Sequence, residues 1–218
     1  DDLAEKSASA FYDKEQGLGL NIIRYNIGGG DDPTHDHIMR TDSKMPGYWS
    51  NPNYDPQTQE YSWDYDWSKD FNQRNVLLKS IQKNKEEIIV EAFSNSPPYF
   101  MTYSGCSSGA EDARNDNLRS DAYPAFAKYL ADVSLHFKSE WGVEFESITP
   151  VNEPYTNYWH AYSDKQEGCH FDQGDSQSNI IVELKKALDK VGLTNIKISA
   201  TDETNINTQI DSYNYLRN

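Results

Sequence analysis

The chain has 218 residues, 36% of them hydrophobic and 25% charged, with a formal charge of −15; that suits a folded chain of one large domain or two small ones. Such acidity excludes binding to phosphate backbones, which needs clustered Lys and Arg, and no stretch approaches the roughly 18 apolar residues of a membrane-spanning helix. Aromatic residues reach 13%, including 15 Tyr and 5 Trp, and their faces suit the C–H faces of sugars as well as ordinary cores.

Elements alternate along the chain. "DDLAEKSASAFYDKEQ" (1–16) predicts a helix stopped by Gly17, and "LGLNIIRYNI" (18–27) a strand closed by Gly28, Gly29 and Gly30. A long polar and aromatic loop follows, from Asp31 to about Tyr65, too long for an idle connection. "SKDFNQRNVLLKSIQKNK" (68–85) predicts a helix whose broad apolar face carries Phe71, Val76, Leu77, Leu78 and Ile81. "EEIIVEAF" (86–93) is a strand, and residues 94–116 form a second loop. In "SDAYPAFAKYLADVSLHFKSEWG" (120–142), Phe126, Leu130, Val133 and Phe137 share one helical face, and Pro124 falls in the first turn, where it is tolerated. "EFESITPV" (144–151) is the third strand, followed by a loop to about Gln173. "SQSNIIVELKKALDKVG" (176–192) is a helix with a Gly192 stop, "NIKISAT" (195–201) the fourth strand, and residues 204–218 a last helix.

Strands alternating with helices imply a parallel sheet with right-handed crossovers. The long loops all follow strands, so the functional surface lies at the strands' carboxyl ends, as in a (β/α)8 TIM barrel. A doubly wound open sheet is the competitor. Its GxGxxG turn is absent, and Asp31 and Asp32 after the glycine run would repel a phosphate. A complete barrel takes about 250 residues, whereas this chain spends its length on four strands. The expectation is an incomplete barrel of about four βα units, strands 2–5, across residues 1–218. Its first strand and last three βα units, the remainder of the barrel, then lie outside these residues.

Asn152-Glu153-Pro154 ends the third strand, and Tyr155, Thr156, Tyr158 and Trp159 follow closely. A carboxylate just past a barrel strand stands where catalytic side chains stand; the bland alternative is a turn start. His35 and His37, in "THDHIM", have weak metal spacing and read as polar loop residues, so neither a metal nor any cofactor is expected. Cys106 and Cys169 lack CxxC spacing but follow consecutive strands onto one face. A disulfide between them is expected, with two buried thiols as the alternative.

Strand-Asn-Glu-Pro resembles the acid/base signature of the (β/α)8 retaining glycosidases. "GLGLNIIRYNIGGGDD" and "SNSPPYFM" resemble the second- and third-strand motifs of glycoside hydrolase family 30. The family's usual Ser-Pro-Pro-x-Trp-Met is here Ser96-Pro97-Pro98-Tyr99-Phe100-Met101. That departure, with the long second loop and "YSGCSSG", resembles the endo-β-1,6-galactanase-like branch most.

The resemblance implies a secreted hydrolase of a carbohydrate polymer or oligosaccharide, with no nucleic-acid or membrane partner. Retention needs two carboxyl groups about 5–5.5 Å apart, one acting as acid/base and the other as nucleophile. By resemblance Glu153 is the acid/base and Asn152 holds the sugar 2-hydroxyl, while the nucleophile, a Glu ending the seventh strand, lies outside this segment. Glu203 in "ATDET" is expected to bind substrate rather than attack it. Asp31 and Asn95 are expected on sugar hydroxyls, Tyr99, Tyr155 and Trp159 as stacking platforms, and Arg24 near the catalytic carboxylates, either orienting one of them or forming a structural ion pair. The segment alone should be inactive. The competing readings are a family 30 xylanase, a β-glucosidase or glucosylceramidase-like enzyme, and a non-catalytic carbohydrate-binding barrel.

Overall fold

The computed structural model describes residues 2–40, 43–85 and 87–217. Asp1, Glu86 and Asn218, outermost residues of predicted elements, lie outside them, as do loop residues Thr41 and Asp42. In chain order the elements are α1 (Asp2–Tyr12), β1 (Ile22–Asn26), β2 (Trp49–Asp55), β3 (Glu60–Tyr65), α2 (Phe71–Lys83), β4 (Ile89–Phe93), α3 (Tyr123–Trp141), β5 (Ser147–Thr149), α4 (Asp175–Lys190), β6 (Lys197–Ile198) and α5 (Ile206–Arg217). A short 3-10 turn, Tyr99–Met101, follows β4.

The strands β1, β4, β5 and β6 pair in that order, every pair parallel. Arg24 is level with Glu91, Glu91 with Ser147, and Ser147 with Lys197. Side chains alternate across a strand, and here the alternation separates two unlike faces. Tyr25, Ile27, Val90, Ala92 and Ile148 are buried against the helices. Ile22, Arg24, Glu91 and Phe93 stand on the other face, where Ile22 is 53% exposed and Ile89 38%. The sheet is thus covered by helices on one side only among the described residues.

The helices form for the reasons their sequences suggest. Phe126, Leu130, Val133 and Phe137 of α3 are fully buried. The helix stops where Gly142 takes φ 66°, which lets the Val143 N–H return to the Phe137 carbonyl at 2.9 Å. Ile180, Leu184 and Leu188 of α4 pack against α3. The apolar face expected of α2 needs correcting. Phe71, its first residue, is 59% exposed, while Arg74 is buried. The Arg74 guanidinium lies 4.1 Å over the Trp141 ring and donates to the Lys69 carbonyl at 2.7 Å, so stacking and hydrogen bonding make its burial tolerable.

The loop expected from Asp31 to Tyr65 is a loop only as far as Tyr48. Beyond it, β2 and β3 form an antiparallel hairpin. Aromatic stacking holds it: Tyr54 lies on Tyr61 with centroids 4.6 Å apart, and Asp121 accepts hydrogen bonds from both hydroxyls, at 2.6 and 2.7 Å.

Candidate active site

The carboxyl ends of β1, β4, β5 and β6 carry the residues that the sequence singles out. Glu153 sits four residues beyond β5 in a left-handed conformation, φ 51°, which costs a non-glycine residue on the order of 1–3 kcal/mol. Its surroundings enforce it. The Glu153 N–H donates to the Asp202 carbonyl at 2.9 Å, and its own carbonyl accepts from Trp159 Nε1 at 3.2 Å and Thr156 Oγ1 at 3.3 Å. The Tyr158 hydroxyl donates to Glu153 Oε2 at 2.5 Å. Burial, then the adjoining carboxylate, raises the Tyr158 phenol above its ordinary pKa, so it remains a donor. Asn152 is fixed by its N–H on the Ser94 carbonyl at 2.8 Å, which ties the ends of β4 and β5 together.

Arg24 reaches from β1 to Asp202, with its nitrogen 2.7 Å from Oδ2, and its guanidinium lies 4.2 Å over the Phe93 ring. The carboxylate it pairs with is Asp202, which sequence reasoning passed over for Glu203. Asn95 is buried at the end of β4, and its Oδ1 has no hydrogen-bond partner among the described residues. Tyr155 is exposed and tilted against His170, with centroids 5.5 Å apart. Tyr155 and Tyr158 both line an open cleft of about 440 Å³ between the loop after β5 and the start of α5.

Several expected sugar contacts need correcting. Glu203 Oε1 accepts from Gln177 Nε2 at 3.2 Å and Ser212 Oγ at 2.8 Å, and Oε2 accepts from the Tyr155 N–H at 3.0 Å. With its carboxylate so engaged and pushed by burial above the usual carboxylate range, Glu203 staples the loop after β5 to α4 and α5. The Asp31 side chain is only 3% exposed. Its Oδ1 accepts from the Ser107 N–H at 2.9 Å, so it turns into the protein rather than toward the cleft. Tyr99 is half-buried and tilted on Trp49, with centroids 5.4 Å apart. Trp159 is buried under Gly168, where any Cβ would stand 2.1 Å from the indole.

The expected disulfide is also corrected: Cys106 and Cys169 are both free. Cys106 Sγ lies 3.0 Å from His37 Nε2 and 3.0 Å from Ser108 Oγ. Cys169 points elsewhere, toward the His170 carbonyl at 3.6 Å. Burial raises the Cys169 thiol far above its ordinary pKa, so it stays protonated.

One buried acid was missed. Glu167 is 1% exposed and its Oε1 accepts the Gly30 N–H at 2.8 Å. Desolvation pushes its pKa up to about 8. Together with Trp49 Nε1 on the Gly29 carbonyl at 2.6 Å and Tyr129 OH on the Gly28 carbonyl at 2.7 Å, it holds the glycine run from within. Nothing in the local sequence distinguished Glu167 from a loop glutamate.

Parallel α/β architecture and a rim of carboxylates and tyrosines at the strands' carboxyl ends define a protein that acts, or binds, at that rim. The family model for O-glycosyl hydrolase family 30 matches residues 4–215. The chain belongs to O-glycosyl hydrolase family 30. It is 35% identical over 196 residues to an endo-β-1,6-galactanase from Hypocrea rufa, covering 86% of this chain and 39% of the relative. It is 28% identical over 194 residues to an exo-β-1,6-galactobiohydrolase from Bifidobacterium longum subsp. longum, covering 77% of this chain and 12% of that protein. The chain therefore spans well under half the length of these relatives. Solved structures of similar fold include a conserved exported protein from Bacteroides fragilis, with TM-score 0.74 and 24% identity, covering 92% of this chain and 39% of that one. The catalytic domain of GH30 xylanase C from Talaromyces cellulolyticus is another, with TM-score 0.68 and 15% identity, covering 100% of this chain and 47% of that one.

Proposed function

We propose that the full-length protein is a retaining glycoside hydrolase that cleaves β-1,6-linked galactan, with Glu153 as its general acid/base. The observation that carries this reading is Glu153 itself, held at the carboxyl rim beyond β5 in a left-handed conformation with the Tyr158 hydroxyl on its carboxylate. Glu153 protonates the departing glycosidic oxygen and then takes a proton from the attacking water. Asn152 holds the sugar 2-hydroxyl beside it. Tyr155 and Tyr158 line the approach, where their ring faces suit galactose C–H surfaces. The β-1,6-galactan assignment is supported by the names of both relatives, one an endo-enzyme and the other an exo-enzyme.

We infer further that β1, β4, β5 and β6 are strands 2–5 of a (β/α)8 barrel, and that residues 1–218 are part of its catalytic domain. Three features support this: sequential parallel pairing, helices on one face only, and a polar and apolar face bearing Arg24, Glu91 and Phe93 left for a barrel interior. The nucleophilic glutamate then comes from a later strand of the same full-length chain. A polymeric substrate, which does not cross a membrane, supports an extracellular enzyme. The test is hydrolysis by the full-length protein of β-1,6-galactan against xylan and an aryl β-glucoside. Release of β-configured galactosyl products from galactan supports the reading; activity on xylan or the glucoside alone overturns the substrate assignment.

A further inference from the structure

The loops after β1 and β4 meet in a cluster that the glycosidase reading does not use. Asp31, His35, His37 and Cys106 each offer a donor atom, and all four atoms lie within 4.8 Å of one another. His37 Nε2 stands 3.0 Å from Cys106 Sγ and 3.2 Å from Asp31 Oδ2. Cys106 is fully buried and the Asp31 side chain nearly so.

Neighbouring groups orient these donors. The Ser107 N–H donates to Asp31 Oδ1, and the Tyr162 N–H donates to Cys106 Sγ at 3.3 Å. The Tyr162 ring meets both imidazoles edge-on, with centroids 4.9 and 5.4 Å away. Such outer contacts are what hold metal ligands in place.

Hydrogen bonding, the thiol proton toward His37 or Ser108 included, satisfies only part of the cluster. A single proton on His37 Nε2 serves either the sulfur or the carboxylate, not both. The Ser108 hydroxyl, next to the sulfur, gives its proton to the His160 carbonyl at 2.8 Å. Asp31 Oδ2 and His35 Nδ1 are buried without a hydrogen-bond partner among the described residues. Donor atoms of a carboxylate, a thiol and two imidazoles thus share one small volume.

We propose that Asp31, His35, His37 and Cys106 bind one zinc ion, which clamps the loop after β1 to the loop after β4. Two neutral imidazoles, one carboxylate and one thiolate make a tetrahedral set of the kind zinc takes, and their charges cancel the ion's, so no net charge is buried. Ideal zinc bond lengths put neighbouring donors about 3.3–3.6 Å apart. The His37 contacts are near that already, and a pair at the 4.8 Å limit must close by about 1.2–1.5 Å. On binding, the Cys106 thiol releases its proton to solvent. Sulfur and nitrogen donors disfavour magnesium and calcium, which prefer oxygen.

The test uses the full-length protein, grown with zinc and purified without affinity metals or chelators. Metal analysis should find about one zinc per chain. After chelation, Co(II) should restore binding with a thiolate-to-cobalt charge-transfer band. Cys106→Ser should abolish that band and weaken zinc binding by more than about tenfold, because even outer-shell changes cost that much. His37→Gln should weaken binding similarly, while Cys169→Ser should leave both readouts as in the wild type. Zinc well below one equivalent in the wild type, no charge-transfer band, or full zinc retention in Cys106→Ser overturns the proposal. If His37→Gln or Cys106→Ser fails to fold, the wild-type and Cys169→Ser measurements still decide it.

Discussion

The Glu153 N–H donates to the Asp202 carbonyl at 2.9 Å, joining the rim beyond β5 to the rim beyond β6. The side chain of that same Asp202 holds Arg24 of β1 at 2.7 Å. The left-handed turn that presents Glu153 is therefore braced from two other strands, which places a carboxylate firmly at the rim before any substrate arrives.

Tyr158 orients the Glu153 carboxylate, so Tyr158→Phe should slow turnover by about tenfold through lost positioning. KM should change little, because the ring remains in the cleft. The same variant should lose about 1 kcal/mol of stability, the usual net worth of one hydrogen bond. Steady-state kinetics and denaturant unfolding of the full-length protein check both. Unchanged kcat would show that the hydroxyl is a packing detail.

The Arg24–Asp202 pair is 40% and 32% exposed at its two side chains. In residues 1–218 by themselves solvent screens such a pair, so a double-mutant cycle there with Arg24→Ala and Asp202→Asn should give a coupling of no more than about 1 kcal/mol, whereas the barrel proposed above would bury the pair. A coupling several times larger would mean that the site is far drier than its exposure here.

Glu167 makes stability depend on pH. Its pKa in the folded protein, about 8, stands above the ordinary 4.5. Below the ordinary value both folded and unfolded states hold the proton, and this stabilising contribution is whole. As pH rises, the unfolded chain ionises first, so stability falls through the window from about 4.5 to about 8, with a slope of up to about 1.4 kcal/mol per pH unit. Glu167→Gln should flatten that part of the profile in thermal melts taken across the range. A variant that keeps the wild-type slope would assign the pH dependence to other groups.

Leu184 is fully buried on α4, whereas Phe71 is mostly exposed at the start of α2. Leu184→Ala should cost about 2–5 kcal/mol, and Phe71→Ala less than about 1 kcal/mol. Equilibrium unfolding of the two variants checks the ranking, and a larger loss at Phe71 would reverse the assigned packing.

Much of this was legible in the residues. The 3.6-residue periodicity of α3 and the glycine that stops it follow from local chemistry, and so does the position of Glu153 past a strand. The hairpin β2–β3 was hidden because β2 is polar and carries Pro52, although Tyr61, Trp63 and Tyr65 of β3 alternate with polar residues and pack against the core, and Tyr54 and Tyr61 share Asp121 across the strands. Phe71 was misjudged because helical spacing says nothing of which turn the neighbours reach. Asp202 and Glu203 are adjacent, and only the backbone between them decides which meets Arg24 and which is consumed by Gln177 and Ser212. The His35–His37 spacing gave a weak signal because Asp31 was read for sugar binding and Cys106 comes from a loop after another strand.

The central claim is that Glu153 transfers the proton to the leaving sugar. The most direct measurement compares Glu153→Gln with the wild-type full-length enzyme on β-1,6-galactan and on an aryl β-galactoside whose leaving group departs without protonation. Galactan hydrolysis should fall by about 10²–10⁴-fold, while the burst of aryl release, which needs only the nucleophile, should be largely kept. Equal loss on both substrates, or near wild-type hydrolysis of galactan, would contradict that role.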